Sequence, residues 1–227
     1  MLPLILGGLL LLALIYGPSL WVRRVMARYR SPENRYPGTG GEFARHLLKR
    51  LQLDHVGVES TGQGDHYDPM QKVVRLSPAN YDGRHLTAVT VAAHEVGHAL
   101  QDAIGYQPLV WRTRLAVFAA RAQRFGGFLL LAIPVLLLLT RVPASALMLL
   151  VAGLASVGLA VLVHLITLPT EFDASFRRAL PLLEAGYLKP EDKPAARRIL
   201  TAAALTYVAA ALMSVFNIWV WLRMLLR

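Results

Sequence analysis

The chain has 227 residues, 55% of them hydrophobic, a net charge of +10 and no cysteine. Without cysteine there are no disulfides and no thiolate metal sites, so any bound metal must be held by His and carboxylate. Mean hydropathy of +0.44 is high for a soluble domain, and the basic excess reads as flanking charge around apolar runs rather than as a nucleic-acid surface.

Four runs approach the about 20 apolar residues that a bilayer span requires: 2–22, 125–140, 144–168 and 200–222. The second is short and contains Pro134, so it begins nearer Phe118 or is kinked. The first lacks a basic leader and is followed by Arg23, Arg24, Arg28 and Arg30, the pattern of a retained anchor rather than a cleaved signal. The expected fold class is a predominantly α integral membrane protein, with about four transmembrane helices and a small α+β zincin-like catalytic segment. Five units follow: an anchor over 1–22, a catalytic segment over 23–117, a transmembrane hairpin over 118–168, a helical segment over 169–199 and a last transmembrane helix over 200–227. Basic residues after the first run, before the second and between the third and fourth put 23–117 and 169–199 on the cytoplasmic side.

Within the catalytic segment, 38–41 reads as a turn and 43–51 as a short amphipathic helix with Arg45, Lys49 and Arg50 outward. Residues 56–59 and 72–76 read as strands, joined through the Gly62–Gly64 turn and the stretch His66–Pro69. The strand edge at 73–77 either receives an extended peptide or only packs on the helix that follows.

That helix, 86–103 with Gly105 as its stop signal, carries His94-Glu95-Val96-Gly97-His98. Residues four apart share a helix face, so both imidazoles can reach one metal ion. Glu95 lies close enough to take a proton from a water on that ion. Gly97 permits close packing behind the site. The bland alternative is two helix histidines making ordinary hydrogen bonds.

A zinc peptidase site usually has three protein ligands. The metzincin third histidine is missing, since Gln101 and Ile104 stand at the positions of its Gly and His. Asp102, eight residues from His94, would stretch the set over about 12 Å of helix axis. The third ligand therefore comes from another element. The 118–168 hairpin would return the chain at Pro169-Thr170-Glu171, with Thr170 as N-cap of a helix running to Leu183 and Glu171 in its first turn. Glu171 is read as the third ligand, against the alternative of a simple helix-start charge. Asp173 is either a support for a ligating histidine or solvated. Donors for the developing oxyanion are sought among His66, Tyr67, His85 and Arg178. His164, in the third run, is a functional candidate because it is ionisable or else a partner for a neighbouring helix.

The stretches Ser77-Pro78-Ala79-Asn80-Tyr81, Val91 to Gln101, His66-Tyr67-Asp68-Pro69 and Leu168 to Ser175 resemble the bacterial membrane zinc metallopeptidases of the YugP type, the neutral zinc metallopeptidase family. The likeness covers nearly the whole chain. More distantly, the layout is similar to the HtpX and CAAX prenyl protease group, whose third ligand is the Glu of an E-x-x-x-D motif. Glu171 matches that Glu, and Ser175 stands where the Asp would be. The resemblance implies a gluzincin-like, membrane-embedded endopeptidase of the bacterial inner membrane. It would hold one zinc per chain on His94, His98 and Glu171, with Glu95 as general base and peptide or membrane-associated protein substrates. A catalytically inactive zinc-binding scaffold is the alternative. A transporter is disfavoured by the scarcity of polar residues in the apolar runs.

Overall fold

The computed structural model describes residues 2–122 and 143–225. The centre of the molecule is α4 (Leu86–Ala103), a helix rich in Ala, Val and Thr around its two histidines, and buried over nearly its full length. Small side chains let neighbours approach it from several sides. His85 caps its start: Nδ1 accepts from the Ala88 N–H, and Nε2 bonds the Ala79 carbonyl. Gly105, at φ +65°, stops it in the left-handed conformation that suits glycine.

On one flank lies α2 (Gly40–Arg50). It starts three residues earlier than its apolar pattern suggests, because Thr39 and Glu42 form a reciprocal capping box. Gly40 must be glycine, since a Cβ there would meet the Asn80 carbonyl oxygen at 2.2 Å. The residues 38–41 thus form a helix entry rather than a free turn. Phe43, Leu47 and Leu48 of α2 join Val89, Ala92, Ala93 and Val96 of α4 in one core.

A three-stranded sheet lies beside them, in the order β1 (Gly57–Ser60), β3 (Val73–Leu76), β2 (His66–Asp68). β3 pairs parallel with β1 and antiparallel with β2. The stretch expected to link two strands is itself a strand, and it occupies the second edge of β3. The edge at 73–77 is therefore not free to receive a peptide: β3 is the central strand, buried at Val74 and Leu76.

The remaining helices are a short α3 (Pro78–Tyr81), α5 over 107–122, and the long α1 (Leu2–Arg28), α6 (Pro143–Phe172) and α8 (Lys193–Leu225). α8 packs against both α1 and α6, and it also touches α4. Beyond Phe172 the chain continues as a π-helical stretch, Asp173–Ala179, and then as α7 (Leu180–Glu184).

The expected set of four transmembrane helices is not what the structure holds. Among the described residues, no helix is long and apolar enough to cross a membrane. The run at 125–140 lies outside the described residues. The described parts of the other runs are used differently. α1 closes on Arg23, Arg24 and Arg28, while α6 buries Thr167, Thr170 and Glu171. α8 buries Ala196, Ile199, Leu200, Ala202 and Ala204 within the protein. An alanine-rich face packed on a neighbouring helix and one facing lipid give the same linear hydropathy. That is why averaging along the chain mistook the one for the other.

Candidate metal centre

His94 and His98 lie one turn apart on α4, both buried, with rings nearly perpendicular and centroids 4.8 Å apart. Their Nε2 atoms converge on one oxygen, Glu171 Oε2, at 3.2 and 3.3 Å. Glu171 is 1% exposed. One ligand atom from each of the three residues falls within 4.8 Å of the others. A tetrahedral zinc with bonds of about 2.0–2.1 Å has ligand–ligand edges of about 3.3–3.4 Å, so the two N···O separations are those of a pre-formed ligand set. Glu171 Oε1 is buried and makes no hydrogen bond; its charge partner is Arg112 Nη1 at 3.4 Å. The donor set therefore fits zinc.

The other ring nitrogens fix the tautomers. His98 Nδ1 faces Gln101 Oε1 at 3.0 Å. The Gln101 amide nitrogen donates to the Thr170 carbonyl at 2.9 Å and to Asp173 Oδ2 at 2.8 Å. With its NH2 end committed, Gln101 can only accept from His98, so Nδ1 carries a proton and Nε2 is the nitrogen left to face Glu171 and a metal. His94 is held in the same sense. Ser175 Oγ donates to the Leu200 carbonyl at 3.2 Å and lies 3.1 Å from His94 Nδ1. Its one proton is used, so it accepts from His94. Ser175 thus orients a ligand histidine from the place of the motif's Asp, and Asp173 orients the other through Gln101.

Local winding makes this possible. Thr170 is not an N-cap: the helix runs unbroken through Pro169 to Phe172 and passes directly into the π-helical turn. Glu171 therefore has no helix start to stabilise, which removes the helix-dipole account of its charge. The wider π turn keeps Glu171 and Ser175 on opposite sides of one imidazole and sets Asp173 in an ion pair with Arg178, 3.1 Å away. Gly97 lies against this turn. A Cβ there would meet the Ala174 carbonyl oxygen at 2.8 Å and Arg178 Cβ at 3.2 Å, so the expectation of close packing behind the site is borne out.

Electrostatics separate the two glutamates. The Glu171 carboxyl is held well below the usual carboxylate range by the two histidines, despite burial that opposes ionisation. Glu95 is almost as buried but has no such partners at hydrogen-bonding range. Burial pushes it up to about 7, where a carboxylate can both accept and return a proton near neutral pH. Arg112 of α5 brings Nη1 to 3.4 Å from Glu171 Oε1. It also donates to the Tyr207 hydroxyl of α8 and stacks over that ring, 5.0 Å from its centroid.

The oxyanion donors sought in the sequence are all engaged elsewhere. His66 Nδ1 bonds the Gly64 carbonyl, and Tyr67 donates to Asp102 Oδ2 at 2.6 Å. His85 is spent as a helix cap, and Arg178 is paired with Asp173. Asp102 holds Tyr67 and Lys72 and takes no part in the ligand set. The His164 ring lies 6.0 Å from that of Tyr207 and outside the triad. Sequence reasoning missed Gln101, Arg112 and Tyr207. Gln101 had one available signal, a polar residue one turn after a ligand histidine on the same face. Arg112 and Tyr207 had none, because only packing of α5 against α8 joins them.

A surface depression of about 320 Å³ beside Arg30, Asp82 and His85 contains none of His94, Glu95, His98 and Glu171. A smaller cavity of about 210 Å³ touches His98 and Arg112 and is the one that adjoins the site.

The sequence matches, over residues 4–226, the model of a family described as "Putative neutral zinc metallopeptidase". It is 37% identical over 214 residues, 89% of each chain, to the "Putative membrane protease YugP" of Bacillus subtilis (strain 168). No solved structure matches the chain.

Proposed function

For a chain that belongs to the neutral zinc metallopeptidase family, we propose an endopeptidase that holds one zinc on His94, His98 and Glu171 and uses Glu95 as general base. The observation that carries this reading is the convergence of both Nε2 atoms on Glu171 Oε2 at tetrahedral-edge spacing. Zinc bound there supplies Lewis acidity, activating a water and polarising the scissile carbonyl. Glu95, one residue along the same helix, accepts the water proton and returns it to the departing amine. Ser175 and Gln101 keep the two imidazoles in the ligating tautomer. Arg112, steadied by Tyr207, is the nearest cation to the site and is assigned the role of balancing negative charge as the carbonyl oxygen becomes anionic.

The substrates are peptide or protein chains. The relative is named a membrane protease, and membrane attachment of this chain is part of the proposal. Exposed Leu20 and Trp21 on α1, Trp111 and Phe118 on α5, and Leu162 and Leu165 on α6 supply apolar surface for contact with lipid. Retention in the membrane fraction after an alkaline carbonate wash is the expected result. Full release would remove that part of the reading.

The central experiment measures zinc per chain and hydrolysis of a mixed quenched-fluorescent peptide pool in wild type, Glu171→Ala and Glu95→Gln. Wild type should carry about one zinc and cleave. Glu171→Ala should lose the metal, and Glu95→Gln should keep it without cleaving. Equal zinc in wild type and Glu171→Ala would remove Glu171 from the ligand set. Zinc without hydrolysis in wild type would leave a binding scaffold.

A further inference from the structure

The geometry points to the cavity between the β2–β3 turn and α5 as the subsite for one uncharged, apolar side chain of the substrate, placed directly beside the metal centre. This inference rests on the peptidase reading and names what that site selects. Away from the metal the cavity is walled by Pro69, Met70, Leu109, Ala116 and Val117, with Tyr67 and Thr113 beside them; the hydroxyls of these two are spent on Asp102 and on the Leu109 carbonyl. His98 and Arg112 also line it, so whatever enters lies next to the ligand set. At about 210 Å³ it falls below the roughly 300–1,000 Å³ that encloses a drug-sized ligand, which suits one side chain rather than a whole small molecule.

The rim is held in place. Asp68 Oδ1 accepts from the Met70 and Gln71 N–H groups at 2.9 and 3.0 Å, and Asp68 Oδ2 pairs with Arg75 at 2.9 Å. Tyr67 and Lys72, on either side of the turn, are both anchored to Asp102 of α4. Met70 is nevertheless 79% exposed. An unbranched, polarizable side chain on a pinned turn over an apolar cavity is suited to contact a guest of variable shape. Leu109, 3% exposed, closes the floor.

Charge sets the selectivity. No carboxylate lines the cavity, so a lysine or arginine side chain entering it would lose water without gaining a counter-ion. It would also approach Arg112. The Arg112 guanidinium already carries Glu171 and Tyr207, so an acidic side chain would have to share it with a carboxylate that repels it. An apolar side chain sheds water from both surfaces at no polar cost.

The test uses the zinc-loaded Glu95→Gln protein and three peptide hydroxamates that differ only in one side chain: isobutyl, aminobutyl or carboxyethyl. Binding is read by calorimetry, so the result does not depend on turnover. The isobutyl compound should bind at least tenfold tighter than either charged one. Ala116→Trp, filling the cavity, should erase that preference at unchanged zinc content. Val117→Asp should raise affinity for the aminobutyl compound severalfold, and it tests the cavity independently if the Trp variant does not fold. Equal affinities, a preference for a charged side chain, or insensitivity to both substitutions would overturn the assignment. Loss of hydrolysis in the wild-type peptide assay would instead count against the peptidase reading while leaving this binding result interpretable.

Discussion

Replacing Gln101 by Leu keeps the approximate shape of the side chain and removes three hydrogen bonds at once: the bond from His98 Nδ1 and those to the Thr170 carbonyl and Asp173 Oδ2. At about 0.5–1.5 kcal/mol net per bond, the metal-free protein should lose about 2–4 kcal/mol. Asp173 retains Arg178, which favours the lower end. The second effect falls on the metal. With its Nδ1 partner gone, His98 can turn its ring or protonate the nitrogen that should ligate. Losing such an outer partner typically costs 10–100-fold in metal affinity. Chemical denaturation of the metal-free protein reads the first number, and competition with a zinc chelator reads the second. Gln101→Glu can still accept from His98 but sets a second carboxylate against Asp173 Oδ2, so it should keep zinc affinity nearer wild type while destabilising the metal-free fold at least as much as Gln101→Leu. A folded Gln101→Leu protein that binds zinc as tightly as wild type would refute the argument that Gln101 sets the His98 tautomer.

Gly97→Ala places a methyl 2.8 Å from the Ala174 carbonyl oxygen. Overpacking of about 1–3 kcal/mol should outweigh the helix-propensity gain of up to about 1 kcal/mol, lowering Tm by a few degrees, and a rise in Tm would contradict the packing account. Arg112→Ala should retain zinc while kcat falls by roughly 10²-fold, with Arg112→Lys intermediate; loss of zinc in its place would make Arg112 a structural partner of Glu171. In metal-free protein, the raised Glu95 carboxyl favours the folded state below its unfolded value, and that contribution disappears as pH rises to about 7. Glu95→Gln should therefore gain stability over wild type between about pH 4.5 and 7 and hold a constant advantage above. A difference independent of pH from 5 to 8 would show that Glu95 ionises normally.

The clustering of His94, Glu95 and His98 was legible because spacing on a helix is itself geometry: they need only 3.6 residues per turn to be placed. The bounds 86–103 were equally local, set by composition and by Gly105. Glu171 was reached for the right chemical reason, through an incorrect route. No helix start delivers it; a continuous helical run, Pro143–Phe172, brings it to α4, and its winding changes one residue later. The sheet misled because three-residue β2 carries too little alternation to register as a strand, and finding it reverses the status of β3 from edge to centre. Apart from the Gln101–His98 bond, Gln101, Arg112 and Tyr207 matter through partners 59 or more positions away in the chain, a distance over which sequence periodicity is silent.

The π-helical turn also sets how much this region can change in length. Each α-helical residue advances the winding by about 100°, whereas a π turn takes in an extra residue for nearly the same rotation. A deletion inside Asp173–Ala179 that restored ordinary winding would leave the downstream helix near its present phase but change the spacing from Glu171 to Ser175. The carboxylate would stay in place while Ser175 swung off His94. Substitutions here cost individual bonds, but a single-residue deletion costs the spacing between two halves of one site. The stretch should therefore tolerate changes of side chain far better than changes of count.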